Sequence, residues 1–188
     1  RRSGFARTQV LTNKMSGKAP IDGFSMGAQV SNHTFTILET GAASSLSAFR
    51  AGRPMVLDFW HTRCTNCPAA LNKLDRMASS GKYPGVVFAA CAISLGTDMT
   101  DQEHTLEMLD GEWESLKHLW MSFDEKEIAK AEYGFSSVPF CAVFATDGSV
   151  VSMGDPQSID FTVLTAAKPL GESNRDLPAP VLTLDEDF

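Results

Sequence analysis

Residues 58–68 read Asp58-Phe59-Trp60-His61-Thr62-Arg63-Cys64-Thr65-Asn66-Cys67-Pro68. Immediately upstream, Pro54-Met-Val-Leu-Asp-Phe-Trp60 is an apolar run broken by a single acid, the pattern of a strand buried on both faces. Downstream, Leu71, Leu74 and Met77 recur at helical spacing until Gly81, which predicts a helix that ends there. A buried strand therefore runs straight into Cys64-x-x-Cys67, and the cysteines open a helix. Two intervening residues let the sulfurs meet across the first helical turn. The free N–H groups and the dipole at a helix N-terminus stabilise a thiolate on the first cysteine. The thiolate is the attacking species in disulfide exchange, so this setting raises the reactivity of Cys64. Cys67, one turn in, is shielded and placed to resolve a mixed disulfide. Arg63 adds a nearby positive charge, and Pro68 falls in the first turn, where its missing N–H costs little. A zinc site would need two further ligands. Cys91 and Cys141 are isolated within apolar runs, so redox is the better reading of the pair.

Working outward, the chain alternates strand-like and helix-like patterns, which points to an α/β class. Thr34–Leu38 alternates polar and apolar as a half-buried strand does. Val86–Ile93 is a second buried run. From 98 to 133 the pattern is helical and charged. Thr100 with Glu103 forms a candidate capping box, a second helix is expected over Glu112–Trp120, and a third over Glu125–Tyr133 before Gly134. Trp113 and Trp120, seven apart, then share one helix face and pack. Phe140–Ala145 and Ser149–Met153 flank Asp147-Gly148, a hairpin signal. Ser158 is the expected N-cap of a last helix ending before Pro169. Neither an internal repeat nor a Gly-rich phosphate loop is present.

The 188 residues carry 16 Lys plus Arg against 23 Asp plus Glu, and the net charge of -7 argues against a nucleic-acid partner. No stretch approaches the roughly 20 apolar residues of a transmembrane helix. The charge is unevenly placed. Residues 1–20 hold Arg1, Arg2, Arg7, Lys14 and Lys18 without an acid, a basic N-terminal arm resembling the remnant of a mitochondrial transit peptide. The mitochondrion is thus one expected location and the cytoplasm the alternative. Residues 169–188 form an acidic tail interrupted by Pro169, Pro178 and Pro180. Between them lies a body of 21–168.

Asp58-Phe-Trp-x-x-x-Cys-x-x-Cys-Pro, with Val138-Pro139 some seventy residues on and Gly154 beyond the hairpin, resembles the thioredoxin superfamily. The stretch from Ala19-Pro20 to Phe49 and the helical segment 98–133 make it similar to the redoxin branch, which includes cytochrome-maturation thiol–disulfide oxidoreductases, tryparedoxin and nucleoredoxin. The resemblance implies a thioredoxin-like three-layer α/β/α sandwich. It would have a central mixed sheet, an N-terminal β extension and a helical insertion before the cis-proline strand. It implies Cys64 as nucleophile, Cys67 as resolving cysteine and Asp58 as the buried acid beneath it, a proton relay whose carboxylate is costly to keep charged among apolar neighbours. Pro139 matches the family's cis-proline, a conformation only proline adopts cheaply. With Val138, Trp60 and Arg63 it marks the expected substrate-binding surface. No metal and no cofactor are implied.

Three departures accompany the likeness. Arg63 stands where thioredoxins carry Trp, Thr65-Asn66 replaces Gly-Pro, and the run Val86–Leu95 lacks the basic residue expected near the buried acid, with Cys91 in roughly that place. Cys91 and Cys141 read as packing residues. His61, three residues before Cys64, could influence it. His33, His104 and His118 have no metal-ligand spacing, no His follows His118 for a copper-delivery site, and a peroxidatic Thr-x-x-Cys is absent.

Two functions follow. In the first, Cys64 and Cys67 exchange disulfides with a protein substrate, and a separate thiol reductant restores the pair. In the second, a thioredoxin-fold structural or accessory subunit of a larger, mitochondrial assembly docks through its two arms, since fold alone does not fix function.

Overall fold

The computed structural model describes residues 27–96 and 100–164. The two charged arms and the side chain of Thr100, with its proposed capping box, lie outside the described residues. In chain order the elements are β1 (Thr34–Ile37), β2 (Ala43–Ser45), α1 (Leu46–Arg50), β3 (Met55–Trp60), α2 (Cys67–Ser79), β4 (Val87–Ile93), α3 (Thr100–Leu109), β5 (Lys117–Met121), α4 (Phe123–Tyr133), β6 (Phe140–Phe144) and β7 (Val150–Gly154), then a 3-10 turn at Phe161–Leu164.

The apolar run before the cysteines becomes β3, and every one of its residues is buried. It lies inside a seven-stranded sheet of order β2-β1-β5-β4-β3-β6-β7. β3, β4 and β5 are parallel, whereas β6, β7, β1 and β2 join antiparallel. A mixed sheet with a parallel centre needs both faces covered, and the sequence supplies two apolar sets. Leu57, Phe59 and Cys91 point to one face and pack with Ala129 and Tyr133 of α4 and with Phe135. Val56, Trp60 and Cys141 point to the other and pack with Leu71 and Leu74 of α2, Phe161 and Leu164. Helices on both faces make the three-layer α/β/α sandwich. β1 and β2 form the N-terminal extension, and α3 and α4 the helical segment before the cis-proline strand.

Caps and turns fall where the residues favour them. The Ser122 hydroxyl accepts the Glu125 N–H at the start of α4, and Gly134 closes that helix in the left-handed region. In the β6–β7 hairpin Asp147 Oδ1 accepts from the Ser149 N–H and hydroxyl at 2.9 and 2.7 Å. Gly148 has φ +94°, and a Cβ there would stand 2.9 Å from Arg50 Nη2. Glycine is therefore required by both conformation and space. Arg50 is buried and donates to the carbonyls of Arg53, Ala145 and Thr146 at 2.8, 2.6 and 3.1 Å, pinning α1 to this hairpin.

Two sequence expectations are corrected. Glu112–Trp120 is not a helix: Lys117–Met121 is β5, an interior strand paired in parallel to β4 and antiparallel to β1. Both of its sides are covered, so the apolar residues carry no alternation that would separate strand from helix. Trp113 and Trp120 therefore share no helix face. Trp113 sits in the preceding turn with φ +50°, and Trp120 lies in the strand. The last helix does not start from Ser158, whose N–H closes a turn on Asp155 O. Asp160 takes that place, its carboxylate accepting the Thr162 N–H at 2.9 Å as the 3-10 turn begins.

Candidate active site

Asp58, Phe59 and Trp60 occupy the C-terminal half of β3, inside the sheet, and the chain leaves the strand at His61. A tight turn follows. The Cys64 N–H donates to the His61 carbonyl at 3.1 Å, and the Arg63 N–H donates to His61 Nδ1 at 3.2 Å. α2 then begins at Cys67, with Pro68 in its first turn. Cys64 and Cys67 are joined as a disulfide with Cα atoms 5.4 Å apart. The Cys67 N–H donates to Cys64 Sγ at 3.1 Å, the direct contact by which a helix N-terminus supports charge on that sulfur. Cys64 is partly exposed and Cys67 is buried. Only the first sulfur can be reached from solvent.

Opposite the disulfide, the Val138–Pro139 peptide is cis. The Val138 carbonyl oxygen lies 3.6 Å from Cys64 Sγ. Val138 and Pro139 are half-buried and Arg63, which precedes Cys64, is exposed, so all three offer surface near the disulfide. Trp60 does not. It is 0% exposed and meets Trp113 edge to face at 6.0 Å, supporting the site from beneath with no surface to offer a substrate.

Asp58 is also 0% exposed. Both of its carboxyl oxygens lack a hydrogen-bond partner among the described residues. Burial, helped by the negative charge of Asp155, pushes its carboxyl well above the usual carboxylate range. It projects from the same sheet face as Trp60, toward the cluster that holds Cys67. Its partner in β4 is Ala90, and Cys91 is paired with Phe59. Cys91 therefore belongs to the opposite face and does not replace the missing cation. On β6 the partner of Asp58 is Cys141. Cys91 and Cys141 are free and buried, and burial, then the charge of Asp58, pushes both thiols up. They pack on opposite faces of the sheet.

A groove of about 170 Å³ runs beside the cis-proline loop, bordered by His61, Ser94, Leu95, Lys126, Lys130 and Val138. Lys126 is buried. Its ammonium donates to Ser94 O at 2.9 Å, lies 3.1 Å from Glu127 and stands 3.9 Å above the Phe123 ring. These residues come from four separate segments, so no linear spacing announces the groove; only His61 has a signal, its closeness to Cys64. Among the described residues no three His, Cys, Asp or Glu side chains gather as a metal site. No helix there is long and apolar enough to cross a membrane.

No family model matches the sequence, and no curated protein matches it. Solved structures do. The thioredoxin domain of a thiol-disulfide oxidoreductase from Bacteroides vulgatus aligns with TM-score 0.61 and 19% identity, over 78% of this chain and 100% of that one. The chain has the thioredoxin fold. A thiol:disulfide interchange protein from Bacteroides sp. aligns with TM-score 0.59 and 19% identity, covering 80% and 95%. The exposed lipoprotein thioredoxin of Streptococcus pneumoniae aligns with TM-score 0.55 and 19% identity, covering 71% and 97%. Within the thioredoxin fold, a disulfide at the start of α2 faces a cis-proline loop over a buried acid, and that arrangement suits two-electron exchange between sulfurs.

Proposed function

We propose that the chain is a thiol–disulfide oxidoreductase acting on protein substrates. The observation that carries the reading is the Cys64–Cys67 disulfide at a helix N-terminus, with its outer sulfur 3.6 Å from the Val138 carbonyl. In the reduced state the Cys64 thiolate attacks one sulfur of a substrate disulfide. That bond breaks, a Cys64–substrate disulfide forms, and the first substrate thiolate departs and takes a proton from water. The Cys67 thiol passes its proton to the Asp58 carboxylate, whose raised pKa suits it to accept one. The Cys67 sulfur then attacks Cys64, the internal disulfide closes, and the second substrate thiolate leaves. Two electrons have moved to the substrate, and a separate thiol reductant restores the pair.

Substituting Cys64→Ser tests the reading in an insulin-type disulfide reduction assay. The wild type should turn over and the variant should not. An inactive wild type, or a variant of equal rate, would refute it. The physiological direction is read from the equilibrium potential of the pair: about -270 mV marks a reductant and about -120 mV an oxidant.

The two arms support a second proposal, docking as an accessory subunit of a larger assembly, because a small diffusing carrier needs neither. The basic, acid-free segment 1–20 supports a mitochondrial setting for it. Migration of the native protein near its own 20.4 kDa mass on size exclusion would dismiss the assembly, and a stable high-mass position would support it.

A further inference from the structure

We propose that neutral His61 is a positioning residue for Cys64, anchoring the turn before the nucleophile through both its carbonyl and its ring, so that protonation of the ring releases Cys64. The inference rests on the oxidoreductase reading for its importance, though not for its geometry. The amides of Arg63 and Cys64 point back at one residue: the Cys64 N–H reaches His61 O at 3.1 Å and the Arg63 N–H reaches His61 Nδ1 at 3.2 Å. A ring nitrogen that accepts a backbone N–H carries no hydrogen of its own. His61 is therefore the Nε2–H tautomer and uncharged in this arrangement. Protonation would put a hydrogen on Nδ1, facing the Arg63 N–H, and the bond would be lost. The turn would then hold Cys64 only through the Cys64 N–H, and the register of Sγ against Val138 O would loosen.

The surroundings favour the uncharged ring. Burial disfavours the imidazolium most; the His61 backbone favours it, Arg63 on the same loop and Lys126 of α4 disfavour it, and Asp101 of α3 favours it. Lys130 of α4 borders the same groove, whereas one Asp101 oxygen is already engaged by the Leu95 N–H at 2.8 Å. The balance lowers the histidine below its ordinary value of about 6.5. The anchor therefore holds at neutral pH and fails as pH falls through that lowered value.

The test uses the full-length chain. In nitrogen-15 NMR at neutral pH the His61 ring should show the Nε2–H tautomer, and the Arg63 amide should shift together with the ring below pH 6.5. An Nδ1–H tautomer, or an Arg63 amide indifferent to the titration, would overturn the proposal. In the exchange assay His61→Ala should lose about five-fold in rate, the scale of one hydrogen bond. His61→Asn offers a side-chain oxygen that accepts but does not titrate, and should recover most of that loss while removing the histidine's share of the acid limb. An Asn variant as slow as Ala, or one keeping the wild-type acid limb, also refutes the idea. The NMR arm needs no turnover. A coupled titration in a protein without exchange activity would defeat the oxidoreductase reading and leave the anchor standing.

Discussion

Two buried ionisable side chains, His33 and Asp58, are treated in opposite ways. His33 is 3% exposed, yet its Nδ1 meets Glu125 at 2.7 Å and its Nε2 meets Glu132 at 2.6 Å. Two carboxylates on one ring tie the segment before β1 to α4 by paired hydrogen bonds. Asp58 is buried more completely and has neither cation nor hydrogen-bond donor among the described residues. A fold that gives one buried ionisable side chain two partners but leaves another bare beneath a disulfide is spending stability at that place. The paired residue ties two elements together, and the bare one is the proton acceptor of the proposed mechanism.

The sharpest way to break this contrast is Asp58→Asn. The exchange rate at pH 7 should fall about a hundred-fold, the scale of a lost proton acceptor. Stability of the oxidised protein at pH 8 should rise by about 1–3 kcal/mol, because an amide is cheaper to bury than a carboxylate. The sign with pH is specific. An acid whose folded pKa is raised weakens the fold as pH climbs above its unfolded value of about 4. The gain from Asn should therefore shrink as pH falls and vanish toward about pH 3, below the unfolded value, where Asp58 is largely neutral in both states. Chemical denaturation at the two pH values decides it, and a variant less stable at pH 8 would show that Asp58 is paired after all.

His33→Ala should do the reverse. It should cost about 2 kcal/mol of stability, the scale of hydrogen bonds to charged groups, and leave the exchange rate unchanged, because His33 lies outside the disulfide site. The pH dependence also has the opposite sign. Burial alone would raise the Glu125 carboxyl, but bonds from His33 and Thr34 outweigh it and hold that carboxyl below its usual range. A depressed acid contributes stability above its unfolded value of about 4.3 that is lost as pH falls further. In His33→Ala much of that acid sensitivity should disappear from the denaturation midpoint. An equal loss of exchange activity would join the two regions and dissolve the contrast.

The contrast also separates what was legible in the chain from what was not. The run 54–60, the C-x-x-C and the hairpin at Asp147-Gly148 could be read because each is local: burial, helix start and turn chemistry lie within a few residues. β5 could not. Lys117–Met121 is covered on both faces, and only its pairing with β4 and β1 makes it a strand. His33 could be named as a histidine, but its acids stand 92 and 99 residues away. Asp58 was legible as a candidate since it interrupts an apolar run, whereas the isolation of its oxygens required every facing element to be in place. The groove depended in the same way on Ser94 meeting Lys126, 32 residues on.

The smallest test concerns the neighbour that acts on Asp58 from outside. Asp155 follows Gly154 at the end of β7 and is exposed, and its negative charge adds to burial in raising the Asp58 carboxyl. Asp155→Asn removes that repulsion, so the Asp58 pKa should fall and the acid limb of the exchange profile should move to lower pH. The exchange rate at pH 7 should change by about two-fold or less, because a charge in contact with water is strongly screened. The same screening supplies the control: in about 1 M salt, where the Debye length shrinks to about 3 Å, wild type and variant should converge. A shift that survives high salt would mean that Asp155 acts by contact or by shape. A shift in the opposite direction would mean that the charge felt by Asp58 comes from elsewhere, and its isolation would need another cause.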